Sequence, residues 1–512
     1  MEKKNSEHRG GSYDFAVIGS GFGGSITAMG LKQLGYSVCV IEKNSHPRFA
    51  IGESSTPIAD MILRDLADDY DLPFLKQISR YGEWQKNYPD VRCGLKRGFS
   101  YFHHQKEKNF ETDPFHKNEL LVAASLDNEN SDTNWFRSDV DHFLIQKAVD
   151  LGIDYFEKTE VIQLDSRADH NDWFIKTDTE KLIKNYKAKW IIDATGSADF
   201  SGKFFDTSND VSDFKTNSVA IYSHFNEVPS WSTYLQEKKI STDDYPYNPD
   251  DSALHHIIDE GWIWMLRFND GLLSCGMVLD EVKGQKKIDK IDHRVVWNQI
   301  LNHYPSLHHI LQSGVYANQP GRLIHSGRLQ RKLNRTFGEG WIALNHTACF
   351  VDPMHSTGIA FTLSGIERLL KLFRKRIDFK NDHNALIKFQ DKTFKELEYM
   401  DILISMTYRS RWNPELFTAA VMLYFVSTVQ YEQRRIQGLD PDLFLSADDQ
   451  KLRDLVFGLY PEIIKVEENK NVKKTGELVT EITKKIEPFN TVGLMDASKR
   501  NMYRHTAVNL HL

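Results

Sequence analysis

Gly19-Ser-Gly21-Phe22-Gly23-Gly24 follows the apolar, β-rich run Tyr13–Ile18 and precedes the amphipathic stretch Ile26–Leu34, after which Gly35 stands as a C-cap. A strand, a glycine turn and a helix in that order suit a dinucleotide. Gly19 makes the tight turn, Gly21 lets a pyrophosphate approach the backbone, and Gly24 lets helix and strand pack closely. The helix start then faces the diphosphate. A second apolar run, Ser37–Ile41, ends in Glu42, followed by Lys43. That glutamate is placed to accept hydrogen bonds from a ribose. In this full context a glycine turn without a ligand is the weaker reading. The fingerprint alone does not choose between NAD and FAD.

Three further stretches could carry chemistry. In Asp352-Pro353-Met-His355-Ser356-Thr357-Gly358-Ile359 a turn opens a helix predicted to run from about Gly358 to Lys375. The first N–H groups of such a helix point outward unpaired. They suit an anion, either the electron-rich edge of a bound ring or a halide. The plainer reading makes Ser356 or Thr357 an N-cap, and the two are compatible. Lys96 sits in Cys93-Gly-Leu-Lys96-Arg97-Gly98; from pattern alone it is a surface lysine in a basic turn. In Gly261-Trp262-Ile-Trp264-Met-Leu266-Arg267 the two tryptophans are two apart, hence on one face of a strand. The pairs His103-His104, His255-His256 and His308-His309 lack metal-ligand spacing and read as structural or surface histidines. No metal site is expected.

The elements that must position these residues read as follows. Tyr13–Ile41 is one βαβ unit with the usual right-handed crossover. Gly94–His103 alternates like a strand, Asn134–Ala148 reads as a helix, and Lys187–Ile192 is a strand closed by Asp193-Ala-Thr-Gly196. Short β-like runs from about Ser218 to Leu279 suggest a mainly antiparallel sheet, and Gly340–Ala343 returns the chain to the nucleotide fold. Beyond about residue 380 the pattern is helical almost to the end. Asn413 and Pro414 there make a sound helix start for the apolar run Leu416–Val429. That run is expected to be a buried helix over the substrate cleft, with membrane-surface docking the minor alternative.

The fold class is therefore α/β, with a glutathione-reductase-like nucleotide domain, an inserted, mainly antiparallel β-sheet and a C-terminal helical region. Residues 1–12 are expected to be a flexible N-terminus, 13–375 the core and 380–512 the helical region. Within the core the nucleotide fold takes about 13–85, 134–200 and 340–375, and the substrate sheet about 86–133 and 205–330. The 512 residues carry 64 Lys and Arg against 71 Asp and Glu, a net charge of −7 with no basic block, which argues against nucleic acid. Four scattered cysteines argue against a disulfide framework. No apolar run reaches the ~20 residues of a spanning helix, the polar start is no secretory signal, and a cytoplasmic protein is expected.

Taken together, these motifs resemble those of the flavin-dependent halogenases, the tryptophan halogenase family. Arg48, Gly52-Glu53-Ser54, Arg137-x3-Asp141 and Asp193-Ala-Thr-Gly196 resemble segments placed around FAD in halogenases and aromatic hydroxylases. The resemblance implies a cofactor set of Gly19, Gly21, Phe22, Gly23, Gly24, Glu42, Lys43, Arg48, Gly52, Glu53, Ser54, Arg137, Gly196, Asp352, Gly358 and Ile359. It implies halide binding at Thr357 and Gly358, and a substrate region at Trp262 and Trp264. Lys96 resembles the family's catalytic lysine, which holds a hypohalous acid over an electron-rich carbon; His355 stands where tryptophan-specific members carry a glutamate, and could orient Lys96 or shuttle protons. No second glycine fingerprint is present, so the flavin is expected to be reduced by a separate flavin reductase, with chloride or bromide as co-substrate. The expected substrate is an electron-rich phenol, pyrrole or indole, free or bound to a carrier or peptide.

Three departures stand out: Leu266-Arg267 replaces the Ile-Pro that closes the family's tryptophan motif, Asn345-His346 replaces a Gly-Asp-like turn, and the tryptophan-type glutamate is absent. The first of these favours a rival reading, a flavin monooxygenase hydroxylating a similar aromatic or peptide. A second rival is a non-catalytic flavin-binding scaffold.

Overall fold

A computed structural model describes residues 8–166, 172–281, 292–378 and 381–505. Its first sheet has eight strands. Parallel pairing places Trp341–Ala343, Leu182–Asp193, His8–Ile18, Val38–Ile41 and Asp154–Phe156 side by side. Register decides where a ligand can sit. Ile18 stands opposite both Ile41 and Asp193, and Asp193 opposite Ala343. The carboxyl ends of these strands are therefore level, and the loops leaving them share one edge, where open α/β sheets bind ligands.

The first strand begins at His8 rather than Tyr13, pairing with the start of Leu182–Asp193. Residues 8–12 of the expected flexible segment are thus in a strand, and 1–7 lie outside the described residues. The first helix, Phe22–Gln33, is buried on all sides over most of its length, as is usual for a helix held between sheet and cover.

The second sheet has nine strands. Ser218–Asn226, Leu273–Asp280, Gly261–Arg267 and Ala253–Ile258 run antiparallel in turn, followed by Gly98–His103 and Glu119–Ala123. The sheet is mainly antiparallel as expected, and its parallel pairs are Ala253–Ile258 with Gly98–His103 and Met502–Tyr503 with Glu119–Ala123. One face packs on the main core shared with the nucleotide unit. The other is covered by the helices Trp231–Glu237, His293–Asn302 and Pro305–Leu311.

Two expected elements differ. Gly94–His103 is not one strand: Cys93–Lys96 pairs with Asp132–Trp135 in a separate ribbon, and the chain changes sheet at Arg97. Gly98 makes the change possible, since a Cβ there would lie 2.0 Å from the Val122 carbonyl. Asn134 belongs to that ribbon, so the helix starts at Arg137. Local helix propensity yields there to cross-strand pairing.

The C-terminal helices are His383–Ser410, Pro414–Ile436, Gln450–Asn469 and Val472–Ile486. Asn413 caps the second through Leu416 N (2.9 Å), with Pro414 at its start, and residues 416–429 are buried. Past these helices Met502–Tyr503 adds a short strand beside Glu119–Ala123, covering a sheet edge. Among the described residues no helix is long and apolar enough to cross a membrane. All four cysteines are free and buried.

Candidate functional site

The level strand ends carry three loops. Gly19 N donates to Ile41 O (2.8 Å), Ala194 N to Ile18 O (2.9 Å) and Leu344 N to Asp193 O (2.9 Å), so the turns after 18, 193 and 343 lie against one another. Gly19 has φ +103°, a backbone that side chains avoid, and a Cβ there would meet Ala194 O at 2.6 Å. At Gly24 a Cβ would lie 2.0 Å from Gly19 O, so only glycine lets the helix start this close to the strand. A Cβ at Gly21 would instead meet the tips of Arg137, Asp141 and Arg48 at 3.6–3.8 Å. What Gly21 keeps open is the space in front of them.

That space is a cavity of about 600 Å³. Its wall includes Gly19, Gly21, Phe22, Gly23, Glu42, Lys43 and Arg48. It continues past Gly52, Glu53, Ser54, Arg137 and Gly196 to Gly358 and Ile359. Trp262, Trp264 and Leu266 close the far side, so residues distant in sequence share one chamber.

Glu42 accepts from Ser20 N (3.0 Å), Ser20 Oγ (3.0 Å) and Asn44 N (2.9 Å), with Arg48 at 3.4 Å. Burial raises its carboxyl, but Arg48 and these donors outweigh it and hold the group below the usual range. Arg137 is clamped by Asp141 through two contacts (2.9 and 2.8 Å) and donates to the Ile51 and Gly52 carbonyls. Asp141 also accepts Phe22 N (3.1 Å), which anchors the start of the first helix.

Polar atoms of the wall remain without partners among the described residues: Arg48 Nε, Glu53 Oε2, Ser54 Oγ and His346 Nδ1 are buried and unbonded. Such atoms cost free energy unless a ligand or water meets them. They, the glycine cradle and the Glu42 carboxylate fit a dinucleotide. His346 was weighed in the sequence only as a departure, yet it lines the cavity, stacks on Phe22 (6.1 Å) and is kept neutral by burial, its pKa pushed down to about 4.

The helix at the other end is Thr357–Arg374, entered through Ser356 in the left-handed region (φ 53°). Ser356 takes the N-cap position expected of it, but its side chain makes no capping hydrogen bond. Ser356, Gly358 and Ile359 line the cavity, while Thr357 is buried behind them. Asp352 is likewise behind the wall, with Pro353 on it.

Lys96 is no surface lysine. It is fully buried at the end of its strand, with Nζ donating to Ser55 O (2.5 Å) and lying 4.0 Å over the Phe99 ring. Burial pulls its pKa down to about 8, partly offset by Asp132 and Asp60. It does not reach the cavity surface. His355 lies two rings away: Phe99 is 6.2 Å from Tyr424, which stacks on His355 at 4.3 Å. His355 Nε2 is 3.0 Å from Thr407 Oγ1, and burial pushes its pKa down to about 3, so the ring is neutral.

His255, expected to be structural or surface, is buried rather than on the surface, and it also lines the cavity, 5.1 Å from the Trp262 ring. Only its strand register with Tyr101 and Trp264 puts it there, and sequence spacing carries no sign of that. Tyr222 and Thr159–Val161 also line the wall without any motif to announce them. Among the described residues no three His, Cys, Asp or Glu side chains gather as a metal site.

Residues 14–346 match the family described as FAD dependent oxidoreductase. The chain is 26% identical over 442 residues to monodechloroaminopyrrolnitrin halogenase PrnC of Pseudomonas fluorescens, covering 84% of this chain and 74% of that one. It is 24% identical over 446 residues to tetracycline 7-halogenase of Kitasatospora aureofaciens, covering 85% and 76%. The crystal structure of halogenase PltM in complex with phloroglucinol and FAD superposes with a TM-score of 0.82 at 20% identity, covering 96% of this chain and 99% of that chain. The chain belongs to the FAD-dependent oxidoreductases, and the relatives and structural neighbours it resembles here are flavin-dependent halogenases.

Proposed function

We propose that the protein halogenates an electron-rich aromatic, a phenol, pyrrole or indole that is free or attached to a carrier or peptide. The observation that carries this is the single cavity joining the dinucleotide cradle to the Trp262–Trp264 wall, with a fully buried lysine held on Ser55 O and the Phe99 ring beside it. Gly19, Gly21 and Gly24 admit the pyrophosphate of FAD, Glu42 takes the adenosine ribose, and the 357–374 helix start meets the ring edge. When bound and reduced, FAD supplies with O2 the two-electron oxidation that turns chloride or bromide into hypohalous acid. A separate flavin reductase provides the reduced form.

The residues do the rest. The first-turn N–H groups at Thr357 and Gly358 hold the halide. Lys96 is set back from the cavity with Nζ on Ser55 O, so the reaction requires it to leave that carbonyl and reach the chamber. Its ammonium then donates a hydrogen bond to the oxygen of the hypohalous acid and so aims its halogen. As the carbon–halogen bond forms and the oxygen–halogen bond breaks, the ammonium gives its proton to the departing oxygen, releasing water. The neutral amine then takes the proton lost from the ring carbon. A pKa near 8 suits both transfers. His355, neutral and stacked, shapes the lysine side of the site. Trp262, Trp264 and Tyr222 offer flat faces to an aromatic ring, and electron-rich rings stack well on such walls.

The experiment combines the protein with FAD, a flavin reductase, O2 and bromide, and reads a panel of phenols, pyrroles and indoles by mass. Halogenated product supports the reading. Hydroxylated product without halide dependence would replace it with a monooxygenase, the reading favoured by Leu266-Arg267. Arg267 is turned away to the Gly271 and Pro229 carbonyls, so this position supplies no proline to the wall.

A further inference from the structure

The two cavity tryptophans hold their indole N–H groups in different ways. Trp264 Nε1 donates within its own sheet, to Ser274 Oγ (3.1 Å). Trp262 Nε1 leaves the sheet and donates to the hydroxyl of Tyr408 (2.9 Å), on the helix His383–Ser410. The Tyr408 hydroxyl donates onward to Asp352 Oδ2 (2.9 Å). Asp352 also accepts from Ser218 Oγ (2.5 Å), and its Oδ1 accepts from Met354 N (3.0 Å). Gln330 Nε2 donates to Ser218 Oγ (2.9 Å) and to Val351 O (2.8 Å), closing the network on the segment before the turn.

The direction of these bonds is fixed by chemistry. An indole N–H only donates, so the Tyr408 hydroxyl accepts from Trp262, and it gives its own proton to Asp352 whenever that carboxyl is ionised; burial raises the Asp352 pKa to about 7. Trp262, Tyr408, Asp352, Ser218 and Gln330 are all buried, so no bulk water substitutes for a lost partner. One end of the network is on the cavity wall at Trp262. The other is the Asp352-Pro353 turn, and Pro353 and Ser356 are on the wall too. Arg411, near the end of the same helix, donates to Asp280 (2.8 Å) on the neighbouring strand and holds the helix end to the sheet.

We propose that Tyr408 is a positioning residue that fixes the indole angle of Trp262 and ties that wall, through Asp352, to the turn opening the 357–374 helix. The C-terminal helical region thereby sets the distance between the substrate wall and the ring-edge turn. The functional meaning rests on the halogenase reading above; the positioning itself does not.

The test uses the full chain, selectively 15N-labelled at tryptophan indoles, with and without FAD. Trp262→Phe and Trp264→Phe identify the two indole signals. In the wild type the Trp262 N–H is expected to exchange with D2O far more slowly than an exposed indole. In Tyr408→Phe its exchange accelerates by about tenfold or more, while Trp264 stays within about twofold of wild type. Unchanged Trp262 exchange in Tyr408→Phe overturns the proposal. So does equal acceleration at both indoles, which would mean general loosening. If Tyr408→Phe does not fold, the wild type still decides: a Trp262 N–H exchanging like an exposed indole has no such bond. A wild type that fails to bind FAD sinks the functional reading instead, and leaves the indole measurement on the unloaded chain standing.

Discussion

Lys96 Nζ lies 3.9 Å from Asp132 Oδ2, with both side chains fully out of solvent. Their strands pair residue against residue at this point, Lys96 opposite Asp132. Asp60 hydrogen-bonds to the same carboxylate; burial, then the charge of Asp132, raises its own pKa well above the usual range, so Asp60 keeps the proton. Burial raises the Asp132 carboxyl as well, and Lys96, the hydrogen bond with Asp60 and the Arg80 charge pull it part of the way back down. Burial disfavours the ammonium and Asp132 favours it, which leaves Lys96 near pH 8. Product formation is expected to fall as pH rises through about 8, because the ammonium that donates to the oxidant is lost there. Asp132→Asn removes the anion that favours the ammonium, so the falling limb moves to lower pH. Rate-against-pH profiles of the two proteins check this; superimposable limbs would mean that Lys96 is not the titrating group.

Gly21→Val is expected to abolish FAD uptake while leaving the fold intact. Its side chain would enter the space kept open in front of Arg137 and Arg48, with no main chain pushed aside. Flavin fluorescence titration reads the affinity, and circular dichroism confirms the fold. Near-native binding by the variant would place the pyrophosphate elsewhere.

Much of this site was legible because one kind of physics produced it. Glycines 19 and 24 are required by backbone clearances and Gly21 keeps the space before Arg137 and Arg48 open; such requirements recur at fixed spacing, so the turn and Glu42 could be placed from the sequence. Trp262 and Trp264 were legible through strand alternation. His255, Tyr222 and Tyr408 were not. They reach the site or its support through strand register, or from a helix residue 146 positions further along the chain, and no local pattern records such a meeting. Lys96 shows the opposite failure: beside Arg97 and between Gly94 and Gly98 it reads as part of a basic turn, and only the ribbon with Asp132–Trp135 buries it. Asn134 was misread as helical for the same reason.

Asp141→Ala is expected to destabilise the protein by about 3–5 kcal/mol, since it leaves the buried Arg137 guanidinium unpaired. Phe22 N would lose its acceptor as well, so the start of the first helix should loosen. A lowered thermal midpoint and weaker FAD binding together are the expected signature. Lost binding at an unchanged midpoint would mean that Asp141 serves the ligand and not the helix start.

Lys96→Ala separates the two readings of the chemistry. If halogenation passes through Lys96, the variant should still bind FAD and consume O2 with reduced flavin, because the lysine is fully buried and outside the cavity wall. Halogenated product should fall by orders of magnitude. A charge-assisted hydrogen bond is worth about 1.5–3 kcal/mol in a ground state, and a donor whose bond strengthens as the halogen departs costs more when removed. Lys96→Arg should fail too, since a planar guanidinium is bulkier and cannot give up its proton and recover it near pH 8. The measurement is O2 consumption beside product mass, with and without bromide. If O2 is consumed and the product is hydroxylated in equal yield by wild type and Lys96→Ala, with no dependence on bromide, oxygen goes directly to the substrate. Lys96 would then be a buried structural cation paired with Asp132, and the altered Leu266-Arg267 end of the tryptophan motif would be the feature that mattered.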